Sequence, residues 1–380
     1  MPHTQHNVAQ RDTQNAASNR VGKRLARFGL LVSIVVIALG AFTRLTDAGL
    51  GCPDWPGCYG QLIVPQHPTH TSEANSLYPM RPLEHAKAWA EMIHRYVAGT
   101  LAVLIFSLCA LHIKHRTAQR TLTTCLAISV IGQAALGMWT VTLGLKPIIV
   151  TAHLLGGFTT FSLLFALTLR QSTVMARLTS SQLPGTPVSR SLLTMAFLAL
   201  VLQITLGSWT AANYAATVCT TLPICHGNWI EHLNFTAALK LWGHDVSPYT
   251  QGGTSAYEYA QHLSLDTKIT IHVLHRFGAV FASTLILLCA GHLWRRSPHL
   301  ASGLILLLIL QVGLGITNIL ALLPLSIALL HNLVAALLLG WMLLSVLWTY
   351  QQPCLAKHVS LDSRNVQTRP LPTSTHKTTA

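Results

Sequence analysis

Pro147-Ile-Ile-Val-Thr-Ala-His153-Leu-Leu-Gly-Gly-Phe-Thr-Thr-Phe-Ser-Leu-Leu-Phe-Ala-Leu-Thr-Leu169 carries no charged side chain and a single histidine. A run of roughly 17–25 apolar residues crosses a bilayer core as a helix, because only a helix satisfies its own backbone where there is no water. Runs of that kind recur at about Phe28–Arg44, Ala86–His112, Leu122–Leu143, Ser191–Ala212, Lys268–Trp294, Leu300–Leu323 and Pro324–Tyr350. Of the 380 residues, 51% are hydrophobic and 9% charged, against about 25% charged in a soluble domain. So little charge cannot cover a water-facing surface. A soluble enzyme, a disordered chain and a secreted disulfide scaffold are excluded. The expected fold is an all-α integral membrane protein of eight transmembrane helices, with the lipid bilayer as its first partner.

The formal charge of +14 raises nucleic acid as a partner, and the placement of the charges argues against it. Lys and Arg lie in short connections between apolar runs: 17 fall on one side and six on the other, with Arg95 and Arg276 inside spans. The positive-inside rule then puts both termini in the cytoplasm. The long loops 45–85 and 213–267 face outward. Arg20 to Arg27, an apolar run and Ala38-Leu-Gly40 also resemble a cleavable signal peptide. Against that, the run has internal counterparts that are retained spans.

Those counterparts form a repeat. Leu39-Gly-Ala-Phe-Thr43 resembles Leu136-Gly-Met-Trp-Thr140, Leu206-Gly-Ser-Trp-Thr210 and, more loosely, Leu314-Gly-Ile-Thr317; Gln133, Gln203 and Gln311 stand four residues before three of the glycines. Gly40 precedes Cys52 by twelve residues, as Gly207 precedes Cys219, and Cys52/Cys58 and Cys219/Cys225 are both six apart. His94-Arg-Tyr answers His275-Arg-Phe, and 20 residues separate Gln133 from His153 and Gln311 from His331. The chain thus divides into a polar tail at 1–24, a four-helix half at 25–170, a cytoplasmic linker at 171–190, a second half at 191–350 in the same orientation, and a polar tail at 351–380. A parallel duplication sets equivalent sites at equal membrane depth.

The outward pairs Cys52/Cys58 and Cys219/Cys225 lie where an oxidising compartment lets them form disulfides. A metal site is the alternative, kept open by His226 beside Cys225, although spacing of five residues between thiols is wider than the usual two to four. Of the 20 histidines, most sit in tails, loops or cytoplasmic helix ends. His94, His153, His275 and His331 instead lie in even-numbered spans, about six to nine residues from the outer end and so about 10 Å deep at about 1.5 Å per residue. Ionisable side chains at that depth mark function, since unpaired polarity in hydrocarbon is costly. Zinc would want further ligands, and Glu91 is the one carboxylate nearby. Haem needs only two axial positions, which imidazoles on facing helices supply. The expected ligand pairs are therefore His94 with His153 and His275 with His331. Arg95 and Arg276 follow the first histidine of each half and either face haem propionates or snorkel to the interface.

The halves differ at one place. Glu91 stands three residues before His94, one turn outward on the same helix face, where the second half has His272. A carboxylate at a haem edge can move protons or stabilise developing positive charge. The first half therefore reads as the reactive site and the second as the seat of a resident cofactor. Otherwise Glu91 is a carboxylate favoured by the dipole at a helix start.

The run Gly40-Ala-Phe-Thr-Arg-Leu-Thr-Asp-Ala-Gly-Leu-Gly-Cys-Pro-Asp-Trp-Pro-Gly-Cys-Tyr-Gly60 resembles the first outward loop of haem A synthases, and Glu91-x-x-His94-Arg, the eight spans and the four-histidine duplication are similar too. The resemblance covers about residues 25–350. It implies an inner-membrane monooxygenase that uses molecular oxygen to convert the C8 methyl of haem O to a formyl group by successive hydroxylations, giving haem A for cytochrome oxidase. It further implies substrate haem on His94 and His153, haem b on His275 and His331, and a catalytic Glu91. By the same resemblance the partners are haem O synthase and cytochrome oxidase assembly. The electron donor is an external partner, since the chain has neither a dinucleotide fingerprint nor an iron–sulfur cysteine set. Two rival readings use the same four histidines: a two-haem b-type electron-transfer protein, and a haem carrier.

Overall fold

The computed structural model describes residues 2–180, 189–225, 227–241 and 263–367. The elements among these residues are α-helices joined by turns and irregular loops: α1 (Pro2–Leu45), α2 (Pro68–Leu77), α3 (His85–Lys114), α4 (Arg120–Thr142), α5 (Pro147–Arg170), α6 (Val174–Ser180), α7 (Arg190–Ala212), α8 (Phe235–Ala238), α9 (Leu265–Trp294), α10 (Pro298–Leu320) and α11 (Leu325–Gln367). No strand occurs among the described residues. Eight helices are long and apolar enough to cross a membrane. They correspond to the eight apolar runs of the sequence.

The boundaries differ at both ends of the chain, at the start of α9, which begins at Leu265 rather than Lys268, and at the end of α10. α1 begins at Pro2 and α11 continues to Gln367, so helix extends into both segments that composition reads as polar tails. α10 ends at Leu320 rather than near Leu323. Hydropathy misses that stop because Leu322 and Leu323 are apolar, yet both take positive φ, at 56° and 63°, just before Pro324.

The same stop terminates all four odd-numbered spans. Asp47, Gly144, Tyr214 and Leu322, each seven residues after a repeat glycine, have φ of 50°, 62°, 51° and 56°. The next backbone N–H reaches back to a carbonyl in the last turn: Ala48 to Thr43, Leu145 to Thr140, Ala215 to Thr210 and Leu323 to Asn318. This satisfies carbonyls that a helix end leaves open. Three of the four positions lack glycine, and the left-handed conformation costs an L-residue roughly 1–2 kcal/mol. The turn is thus held by its surroundings rather than by propensity.

Packing repeats in the same way. α1 packs on α3 and α5, and α4 on α3 and α5; α7 packs on α9 and α11, and α10 on α9 and α11. Between the two sets, α1 meets α11, α5 meets α7, and α5 meets α11. A cluster of Phe158, Phe161, Leu193, Leu200, Leu339 and Met342 fills this junction, and Phe161 lies against the bare backbone of Gly340.

Candidate haem-binding site

Each of the four histidines lies against a repeat glycine on the neighbouring helix. A methyl group built on Gly40, Gly137, Gly207 or Gly315 would stand 3.0, 3.2, 3.0 or 3.2 Å from Cε1 of His94, His153, His275 or His331 respectively. Those distances are tighter than ordinary carbon–carbon contact. The absent side chain at each glycine admits an imidazole ring.

The rings point into a gap. Among the described residues α3 and α5 share no backbone contact, and neither do α9 and α11. The ring centroids of His94 and His153 are 6.4 Å apart, with planes at 84°. Two imidazoles on one metal, each bonded at about 2 Å, have centroids about 6 Å apart. Nδ1 of His94, His153 and His331 is buried without a hydrogen-bond partner. A buried, unmet nitrogen costs roughly 1–3 kcal/mol, and a metal–nitrogen bond removes that cost. No group of three or more His, Cys, Asp or Glu converges among the described residues. Paired imidazoles across a gap therefore fit haem, which asks only two protein ligands of its iron.

Glu91 sits at the loop end of the first gap. It is 4% exposed. Its Oε2 accepts the Cys52 N–H at 2.9 Å and its Oε1 accepts Arg95 Nη2 at 2.5 Å. The loop can come this close because residue 51 is glycine: a Cβ there would lie 2.6 Å from the Lys87 carbonyl on α3. Cys52 is joined to Cys58, and Asp54 caps the loop by accepting the N–H groups of Tyr59 and Gly60 at 2.7 and 2.8 Å.

Arg95 also donates through Nη1 to the carbonyls of Asp54, Pro56 and Gly57, at 3.0, 3.2 and 2.5 Å. Arg276 does the same to the second loop, with Nη1 on Thr221 and Pro223 at 2.7 and 3.3 Å and Nη2 on Cys219 at 2.5 Å. That loop is closed by Cys219–Cys225. Each guanidinium ties a cysteine loop to the helix bearing a histidine. Nε of Arg276 is buried and unpartnered. The sequence hint was present, since each arginine follows a histidine and each loop repeats, but the carbonyls it gathers belong to no motif. With both cysteine pairs bonded, their thiols are not metal ligands; His226 lies outside the described residues. His272, at the place of Glu91, is buried, and its Nδ1 has no partner.

One further contact was not legible in advance. Arg44 Nη2 donates to the Ala211 carbonyl at 2.7 Å, its guanidinium lies 4.0 Å from the centre of the Tyr214 ring, and Tyr214 Oη donates to Asp47 at 2.8 Å. The loop ends of α1 and α7 are thereby stitched together. Burial, assisted by Asp47 and opposed by Arg44, pushes the Tyr214 phenol up to about 12.

The cytochrome oxidase assembly protein family (COX15-CtaA) matches this chain over residues 23–343, a range that contains both histidine pairs, Glu91 and both cysteine loops. The chain belongs to the haem A synthase family. It is 45% identical to the haem A synthase of Shewanella oneidensis over 317 residues, covering 83% of this chain and 92% of that protein. It is 26% identical to the haem A synthase of Chelativorans sp. over 87% of this chain and 91% of that one. The haem A synthase of Paracoccus denitrificans is also 26% identical, over 85% and 87%. The matched range thus contains all eight membrane-crossing helices, save the ends of the first and last, and both cysteine loops.

Proposed function

We propose that this protein is an oxidoreductase that converts haem O to haem A, oxidising the C8 methyl group to formyl. Each hydroxylation takes one oxygen atom from molecular oxygen and consumes two electrons and two protons from an external donor. A second hydroxylation at the same carbon gives a gem-diol, which loses water to leave the aldehyde. His94 and His153 hold the substrate haem. His275 and His331 would hold haem b, which supplies electron transfer when bound; Arg276 Nε is the donor left for one of its propionates.

The observation that carries this reading is the environment of Glu91. A buried carboxylate, gripped by a backbone N–H and an arginine one turn from His94, is preorganised to stabilise positive charge or accept a proton at the edge of the first site. The second site has His272 there instead. Chemistry therefore belongs to the first half. Arg95 and the cysteine loop hold the carboxylate in place and close the loop end of the site.

The matched helix contacts and the four repeated stops support two parallel-duplicated four-helix halves, 25–170 and 191–350. The excess of Lys and Arg on one side supports cytoplasmic termini and periplasmic loops in an inner membrane. The family's description as a cytochrome oxidase assembly protein supports cytochrome oxidase as recipient, and the resemblance to haem A synthases implies a haem O synthase as supplier. The test is the haem extracted from cells with and without this protein. Loss of haem A with accumulation of haem O supports the enzyme; unchanged haem composition favours an electron relay or a carrier.

A further inference from the structure

Both cysteine loops come to rest at one level of the bundle, on helix faces turned away from its interior. In the first loop Leu62 and Ile63 are 78% and 58% exposed. The Leu62 carbonyl accepts Tyr96 Oη at 2.5 Å. Tyr96 stands on the outer face of α3 with Ile93, Val103, Phe106 and Ile113, all of them exposed. In the second loop the Trp229 ring lies 6.1 Å from that of Phe277, and the neighbouring Ile230 is 66% exposed. Phe277 stands on the outer face of α9 with Val280, Leu287 and Trp294. Tyr96 and Phe277 are equivalent in the repeat, since each follows the arginine that grips its own loop.

Helix length gives the depth of this level. α3 and α9 have 30 residues each and end at Lys114 and just before Arg295. About 20 residues of helix fill a hydrocarbon core about 30 Å thick. Counting back from Lys114 and Arg295 sets the outer edge of that core near Arg95 and Arg276, with Tyr96 and Phe277 beside it. Aromatic rings gather at this boundary between acyl chains and headgroups. A loop tip lying there with apolar side chains turned outward meets lipid. The charge pattern agrees: no Asp, Glu, Lys or Arg occurs between Asp54 and Glu73, or from Asn213 to Ile230. The first tip is also fixed in its direction. Cys58 and Gln61 exchange backbone hydrogen bonds of 2.7 and 3.1 Å just before it, and Val64 is buried just after it.

We propose that both loop tips, Leu62–Ile63 and Ile230, are seated in the lipid leaflet on the loop side, so that each loop clasps its helix from the bilayer. Apolar side chains sunk to the headgroup boundary bind in proportion to the area they bury. The first loop is then held twice. Arg95 gathers its carbonyls from within the protein, and lipid covers its tip from outside. This is the loop whose Cys52 N–H grips Glu91. The seating depends on neither haem assignment and stands whichever half is reactive.

The experiment uses the full-length chain in vesicles of phosphatidylethanolamine and phosphatidylglycerol. A fluorescent amino acid replaces Leu62, Ile63 or Ile230 in turn. Quenching by lipids that carry a nitroxide near the headgroup is compared with quenching by aqueous iodide. The same probe at Glu73, an exposed position of α2, is the water control. The tip probes should lose most of their emission to the nitroxide lipid and little to iodide, and the Glu73 probe should do the reverse. A tip quenched by iodide and not by lipid stands in water; a tip reached by neither is covered by a second copy or another protein. Either result overturns the proposal. The unaltered chain gives a second reading, free of any preference of the probe for lipid. A photoactivatable lipid with its reactive group near the headgroup should mark the peptide bearing Leu62 and Ile63 and leave that of Glu73 unmarked. An unmarked tip overturns the proposal as well.

Discussion

Replacing Glu91 by glutamine removes one charge and almost no volume, which makes it the sharpest perturbation of the first site. The carboxylate holds donors of two kinds, the main-chain N–H groups of Gly51 and Cys52, the latter at 2.9 Å, and Arg95 Nη2 at 2.5 Å. An amide can face only one of them with oxygen, so one charge-assisted bond is lost, at roughly 1.5–3 kcal/mol. Breaking a buried ion pair can cost about 3–5 kcal/mol when it strands a charge. Here Arg95 keeps its three loop carbonyls, so the lower range applies and the bundle should fold. Catalysis has no such cushion. Losing an electrostatic group aimed at developing charge commonly costs about 10²–10³ in rate. Chromatography of extracted haems should show the ratio of haem A to haem O falling by about that factor in Glu91→Gln, and further in Glu91→Ala, which also leaves the Cys52 N–H unpaired. Haem b per protein, the folding control, should hold. Changing His272 should be milder. Normal haem A output from Glu91→Ala would refute the catalytic role, and a dead His272 variant beside an active Glu91 variant would mean that the two halves have been assigned in reverse.

Other consequences are open to direct measurement. His275→Ala or His331→Ala should abolish low-spin haem b, read from the optical spectrum of purified protein, and an unaltered spectrum in both would remove the proposed ligation. Gly207→Val should lower haem b content, because its new Cβ would press within 3.0 Å of His275 Cε1; normal content would show that the ring has space elsewhere. Thiol reagents applied to unreduced membranes should spare Cys52, Cys58, Cys219 and Cys225, whose Sγ atoms are bonded in pairs; ready labelling would contradict that pairing. Burial raises the Tyr214 phenol from 10.0 to about 12. Between those values the folded state holds a proton that the unfolded chain has lost, so this contribution to stability is full below pH 10 and falls as pH rises toward 12. Alkaline unfolding of Tyr214→Phe should show a shallower slope there, and an identical slope would argue against the buried placement of the phenol.

Much of the architecture could be read from residues alone, because a bilayer leaves few choices. Charge scarcity and eight apolar runs dictate helices, since no other open backbone survives in hydrocarbon. The repeat of Gly, Gln, Cys and His at fixed spacings displayed two similar halves before any packing was known. The four histidines stood out because each is a polar group at matched depth in an apolar run. What failed was local. The end of α10 was missed because Leu322 and Leu323 adopt positive φ without the glycine that would announce it. Helix also continues into both polar ends, where hydropathy gives no signal.

The sequence by itself determined the apolar, membrane-crossing character, the number of membrane-crossing helices and the short list of chemistry-bearing side chains, for these depend on composition and period. Tertiary structure decided what those side chains do to one another. It turned Arg95 and Arg276 toward loop carbonyls, placed the Cys52 N–H on Glu91, and seated each imidazole on a bare glycine backbone. Contacts of this kind join residues tens of positions apart through main-chain atoms that every residue type carries. No pattern of side chains along the chain can encode them.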